Sequence, residues 1–143
     1  LIVHWPGVTT AGSVNTDLVS NGLDLLPTLC DAAGVDAPEE LRGKSLRPLA
    51  EGNPQPGWRH TLPVESEIGR MIVTERYKYM CYDMGDAREQ LIDLVADPGE
   101  MRNAINDPGN GQVVEELRRL FEETFYKPKM EDSGTETDDD HIR

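Results

Sequence analysis

The pattern of apolar and polar positions changes its period once along the chain. Between Leu23 and Ala33, the apolar residues Leu25, Leu26, Leu29, Ala32 and Ala33 recur at helical spacing. This predicts a helix with Asp24 as its cap, Pro27 tolerated in its first turn and Gly34 ending it. A short helical turn over Leu46-Arg47-Pro48-Leu49 follows, with Ser45 as N-cap, before the Gly- and Pro-rich stretch from Gly52 to Gly57 marks a boundary. Beyond that boundary the period becomes two. Leu62 to Glu67, Met71 to Glu75, Tyr77 to Asp83 and Gln90 to Leu94 read as short strands, separated by Gly69, by Arg76 and by Gly85-Asp86. Four such runs predict an antiparallel meander. Its apolar face needs a cover, which Val113, Val114, Leu117, Leu120, Phe121 and Phe125 supply at helical spacing.

Three further segments complete the expected layout. Leu1-Ile2-Val3-His4-Trp5 is an apolar, β-favouring run with nothing capping it. It predicts a strand whose neighbours belong to a longer protein, with His4 packed or hydrogen-bonded inside it. Asp97-Pro98-Gly99 is turn chemistry, after which Glu100 is expected to start a helical segment. From Lys127 onward apolar residues give way to acids, predicting a loosely ordered tail. The expected units are therefore residues 1–57, the α+β unit 58–126 and the acidic tail 127–143.

Charge removes several functional classes. The net charge is −13, and residues 131–143 carry six acids against one arginine. Contact with a phosphate backbone needs clustered Lys and Arg, and no basic run occurs, so nucleic acid is not an expected partner. Apolar stretches last only a few residues, against the roughly 20 needed to span a bilayer, so no membrane partner is expected either. Asp138-Asp139-Asp140 lacks the alternate spacing and the glycine of a calcium-binding loop. Cys30 and Cys81 are the only cysteines, and neither has zinc-ligand spacing. They are read as buried free thiols, with a disulfide as the alternative.

Several phrases occur in an order that points to a family. Ile2-Val3-His4-Trp5-Pro6-Gly7 resembles the strand and turn that follow the catalytic half of sulfatases. Leu23-Asp24-Leu25-Leu26-Pro27-Thr28-Leu29 with Ala33-Gly34 resembles the D-x-x-P-T-L…A-G helix of that family. Gly43-Lys44-Ser45-Leu46-Arg47-Pro48-Leu49 is similar to its G-x-S-L-x-P-L turn, and Thr74-Glu75-Arg76-Tyr77-Lys78-Tyr79 to its Y-K-Y strand region. Glu89-Gln90-Leu91-Ile92-Asp93-Leu94, with Asp97-Pro98-Gly99-Glu100 and Asn103, is similar to its E-x-L-Y-D-L…D-P-x-E…N signature. The resemblance spans about residues 1–126. It implies the end of an α/β, alkaline-phosphatase-like domain followed by an α+β C-terminal subdomain. Most of these residues serve the fold by their own chemistry, as Pro27 does in a helical first turn.

The resemblance to arylsulfatases implies sulfate ester hydrolysis, on glycans among other substrates, by a formylglycine whose hydrate attacks sulfur while calcium neutralises the sulfate oxygens. Formylglycine is made in a Cys/Ser-x-Pro/Ala-x-Arg motif. Cys30 is followed by Gly34 and Cys81 by Gly85, so neither has the arginine. Ser66 has Arg70 four residues on, but Ile68 stands where Pro or Ala belongs. The nucleophile, metal ligands, catalytic lysine and histidines of the family map ahead of Leu1, so these residues contribute neither catalytic groups nor metal ligands, and the chain alone is expected to be inactive. Serine-hydrolase and dinucleotide-binding motifs are missing as well. Alternative readings are a phosphomonoester or phosphodiester hydrolase of the same superfamily, and a non-catalytic binding module.

What the resemblance leaves to this chain is a wall of the substrate pocket. Arg59 and His60 directly follow the Gly/Pro-rich linker, where a guanidinium could grip a sulfate or sugar carboxylate and an imidazole could meet a leaving-group oxygen. Glu65 and Arg70 flank the first hairpin and are candidates for sugar hydroxyls. The expected partners are the remainder of the sulfatase catalytic domain and a sulfated small molecule or glycan. The resemblance implies a periplasmic or secreted compartment.

Overall fold

A computed structural model describes residues 1–53 and 55–126. Its elements are α1 (Leu25–Ala33), α2 (Arg47–Ala50), β1 (Thr61–Ser66), β2 (Gly69–Thr74), β3 (Tyr77–Tyr82), β4 (Glu89–Asp93) and α3 (Gly111–Phe125), the last preceded by a 3-10 turn at Pro108–Asn110. The expected 127–143 tail lies outside the described residues.

In α1, Pro27 sits in the first turn, where its missing N–H leaves no gap in the helix ladder. Gly34 takes the left-handed conformation, φ 68°, and its N–H donates to the Asp31 carbonyl while that of Val35 donates to Cys30. Asp24 stands at the N-cap position, but its side chain caps nothing. That corrects the expected role; its carboxylate is occupied elsewhere, as described below. α1 is tied to α2 through Thr28, whose Oγ1 accepts the Leu46 N–H at 2.8 Å. Gly43 makes this approach possible, since a Cβ there would stand 1.8 Å from the Leu23 carbonyl oxygen. The helical turn begins at Arg47 rather than at Leu46; Ser45 still serves it, its Oγ accepting the Arg47 N–H at 3.2 Å.

The four strands form one antiparallel meander in the order β1-β2-β3-β4. Directly paired residues share a face. Pro63, Ile72, Tyr79 and Leu91 therefore line one side, and Leu62, Val73, Lys78 and Ile92 the other. α3 lies across the first side, where Val114, Leu117 and Phe121 join Ile72, Tyr79 and Leu91 in the core. Phe121 meets Tyr79 edge-on, with ring centres 5.5 Å apart at 82°. The four-stranded sheet with its covering helix is the architecture that the alternating and helical periods predict.

Other expectations do not hold. Leu1 to Trp5 forms no strand; Leu1 to His4 are exposed, and no chain among the described residues pairs with them. A strand exists only through its hydrogen-bond partners, and apolar content cannot replace them. His4 is accordingly exposed rather than packed. Glu100 starts no helix. It adopts a left-handed φ of 56° and closes a turn, its N–H donating to the Asp97 carbonyl. The Asp97 carboxylate takes the Arg102 N–H at 2.8 Å, and Asn103 is drawn to β4, where its Oδ1 accepts the Leu91 N–H. These side-chain bonds compete successfully with a helical ladder. The free-thiol reading of Cys30 and Cys81 does hold, with both side chains partly rather than fully buried.

Candidate functional site

The chain passes from the helical segment to the sheet through Trp58, Arg59 and His60, and the first two are clamped. The indole N–H of Trp58 donates to the Leu18 carbonyl at 2.8 Å, and its ring lies beside Lys44 Nζ at 5.6 Å and the Arg59 guanidinium at 5.0 Å. Lys44 Nζ also donates to the Gly57 carbonyl at 2.9 Å. Arg59 meets Asp24 in a two-pronged pair, Nη1 to Oδ2 at 2.5 Å and Nη2 to Oδ1 at 2.6 Å, and Nη1 reaches Leu18 O as well. Asp24 is 0% exposed. It also accepts the backbone N–H groups of Ser20 and Lys44 at 2.8 and 2.9 Å. Burial opposes its charge, but Arg59 and these two N–H groups outweigh it and hold the carboxyl below the usual carboxylate range.

His60 is placed differently. Its side chain is 83% exposed, and Nδ1 lies 3.3 Å from Oε1 of Glu75, which follows β2 at the same end of the β1–β2 pair. With Nδ1 turned to Glu75, Nε2 faces outward with no partner among the described residues. Glu65 and Arg70 pair directly across β1 and β2, with Arg70 Nε donating to Glu65 Oε1 at 2.9 Å. The guanidinium stacks beside Phe125 and Tyr126 at 6.0 and 5.5 Å, and Nη1 donates to the Tyr126 hydroxyl at 3.3 Å. The four candidates thus form two groups. Arg59 and His60 lie at the entry to β1, whereas Glu65 and Arg70 lie near the hairpin end, about 16 Å away at ordinary strand rise.

A third constellation unites residues that sequence spacing gave no reason to group. On the α3 side of the sheet, the Tyr79 hydroxyl donates to Glu89, the Cys81 thiol donates to the Tyr79 oxygen at 3.5 Å, and Arg118 grips Glu89 through Nε and Nη2 at 2.5 and 2.7 Å. The Arg118 contact holds the Glu89 carboxyl low, while burial pushes the Tyr79 hydroxyl and Cys81 thiol up. The thiol is therefore in its unreactive, protonated form. This network pins α3 to β4. Tyr79 and Cys81 are two residues apart on β3, but Glu89 lies 10 residues from Tyr79 and 29 from Arg118, and only the structure brings these together.

Among the described residues, no group of three or more His, Cys, Asp or Glu side chains is placed to hold a metal ion. Neither cysteine has the neighbours that formylglycine formation requires. The residues present do not fit the calcium or formylglycine that the resemblance implies, and no chemical step is derived through either. What the exposed groups can do is recognise: an imidazole beside a carboxylate, and a guanidinium held beside aromatic rings, are hydrogen-bonding surfaces for polar ligands. No helix of the described residues is long and apolar enough to cross a membrane.

Comparison with known proteins gives a consistent result. The family model described as "N-sulphoglucosamine sulphohydrolase, C-terminal" matches residues 1–127. The Delta 4,5-hexuronate-2-O-sulfatase of Bacteroides thetaiotaomicron is 36% identical over 126 residues, covering 82% of this chain and 26% of that protein. A protein solved in complex with its substrate D-glucosamine-2-N,6-O-disulfate superposes with a TM-score of 0.57 at 29% identity, covering 68% of this chain and 22% of its own. The phosphonate monoester hydrolase of Agrobacterium radiobacter superposes with a TM-score of 0.52 at 26% identity, over 68% of this chain and 23% of its own. The chain spans about a quarter of the length of the curated relatives it matches.

Proposed function

Because the chain belongs to the sulfatase family, in the part described as C-terminal, we propose that it is the closing segment of an enzyme that hydrolyses sulfate esters on glycans. The observation that carries this reading is the family match over residues 1–127, supported by relatives whose printed substrates are sulfated sugars. In this reading the nucleophile, as formylglycine, and calcium are supplied by the remainder of the catalytic domain. This segment completes the fold and lends a wall to the substrate pocket.

Within that wall, His60 is the residue we assign to substrate. Its exposure and its outward Nε2 support a hydrogen bond to a sugar hydroxyl or to the oxygen that leaves with the sugar. Glu65 and Arg70, at the hairpin end, are assigned to a neighbouring sugar unit rather than to the sulfate under attack, since they stand a hairpin's length from His60. Arg59 is already committed to Asp24 and Leu18.

The test is to express the enzyme carrying this segment, search it for formylglycine by mass spectrometry and follow sulfate release from a sulfated disaccharide. Formylglycine together with sulfate release is the expected result. An enzyme that is unmodified and releases no sulfate would sink the reading. The superposition with a phosphonate monoester hydrolase makes phosphonate and phosphate monoesters the control substrates. Faster turnover of those than of sulfate esters would replace sulfatase by phosphoester hydrolase.

A further inference from the structure

We infer that the Asp24–Arg59 pair is a positioning device that fixes the chain at the entry to β1, so that His60 meets the substrate and Arg59 affects binding only through it. This rests on the reading of His60 as a substrate contact. The geometry of the pair supplies the argument. Asp24 is the buried charged residue of the described structure, and each of its oxygens accepts two hydrogen bonds. Those bonds come from three separate stretches: the turn before α1 through Ser20, the loop before α2 through Lys44, and the linker through Arg59.

A buried ion pair adds little net stability over an apolar pair of the same shape, because both charges must leave water. What it supplies here is direction. The planar guanidinium fork matches a carboxylate in one orientation, which fixes both the distance and the angle of the linker. Leu18 holds the same corner twice, accepting from Trp58 Nε1 at 2.8 Å and from Arg59 Nη1 at 3.3 Å. Trp58 is buried and Arg59 13% exposed at the side chain, yet the very next residue is almost fully exposed. Consecutive Cα atoms are about 3.8 Å apart, so displacement of Arg59 carries directly into His60. β1 starts at Thr61, and no other element stands between the clamp and the imidazole. With Nη1 and Nη2 engaged by Asp24 and Leu18 and its face on Trp58, Arg59 is not presented to a ligand.

The experiment is a double-mutant cycle in the enzyme carrying this segment, with KM measured for a sulfated hexosamine–uronate disaccharide. The variants are Arg59→Lys, His60→Ala and the two combined. Lysine keeps a charge on Asp24 but loses the two-pronged grip, and the thermal midpoint of each variant reports that it is folded. Each single change is expected to raise KM roughly tenfold, and the double variant to stay near tenfold instead of reaching about a hundredfold, because coupled groups are not additive. A merely structural pair would not produce that non-additivity with His60. A hundredfold loss in the double variant overturns the inference, because Arg59 would then contact the substrate itself. An unchanged KM in Arg59→Lys beside a raised KM in His60→Ala overturns it too. If His60→Ala itself leaves KM unchanged, the reading of His60 as a substrate contact fails, and the positioning role falls with it.

Discussion

Asp24 shows how differently one residue reads in a sequence and in a fold. Its position before α1 suggests a cap, and nothing local reveals that a guanidinium 35 residues later will reach it. Removing the carboxylate leaves Arg59 buried without its partner. Asp24→Ala is therefore expected to lower stability by about 3–5 kcal/mol in urea unfolding, the range for breaking a buried pair by deleting one side. A loss under about 1 kcal/mol would show that water replaces the carboxylate.

Acid should act at the same scale. Arg76 and the Ala96 and Val95 N–H groups hold the Asp93 carboxyl down to about 2, with Arg76 contributing most, and Asp24 and Glu89 are also held below their ordinary values. A carboxyl whose folded pKa is depressed stabilises the fold above its unfolded value, near 4, and loses that contribution as pH falls toward the folded value. The urea midpoint should accordingly be flat from pH 7 to about 5 and fall steeply between about 5 and 2. Asp93→Asn should lower the pH 7 midpoint and shallow the acid limb. An unchanged limb would show that Asp93 is not a source of the pH dependence.

At the scale of elements, α3 and the sheet stand or fall together. Phe121 is buried, meets Tyr79 edge-on and packs beside Phe125 at 4.8 Å between ring centres. Phe121→Ala should lose about 3–5 kcal/mol, from both transfer and the cavity left behind. Measured in urea at pH 7, a loss below about 1.5 kcal/mol would mean that α3 shifts to fill the space. This is also the region that the sequence predicts best. A strand with one buried face must alternate and a helix lying on it must repeat near 3.6, so Ile72, Tyr79, Leu91, Val114, Leu117 and Phe121 declare themselves. Local patterns lose their authority where a partner decides. Leu1 to Trp5 has strand composition without a strand to pair with, and Glu100 follows helix-starting residues yet is captured by a turn. The site divides along the same line. His60 and Arg59 stand out by following a Gly/Pro-rich linker, but the commitment of one and the exposure of the other depend on Asp24, Leu18 and Glu75, none of them a sequence neighbour.

For the 143-residue chain taken by itself, two opposing properties set the behaviour in solution. The net charge of −13 makes copies repel one another. Against that, α1 turns Leu25, Leu26 and Leu29 outward at 51, 50 and 56% exposure, beside an exposed Val35, with no element of the described structure covering them. Contiguous exposed leucines favour association, and the attraction acts at contact, whereas the repulsion acts over the screening length. That length is about 10 Å at 0.1 M salt and about 3 Å at 1 M, so salt should weaken the repulsion while leaving the apolar attraction intact. Light scattering on the 143-residue chain should then report monomer at low salt and reversible association near 1 M. Leu26→Glu with Leu29→Glu should abolish the association and leave the urea midpoint of the sheet and α3 within about 0.5 kcal/mol, since surface changes away from the core cost little. Association that persists in this variant would assign it to another surface, and a wild-type chain that stays monomeric at 1 M salt would show that the leucine face is too small to hold two copies together.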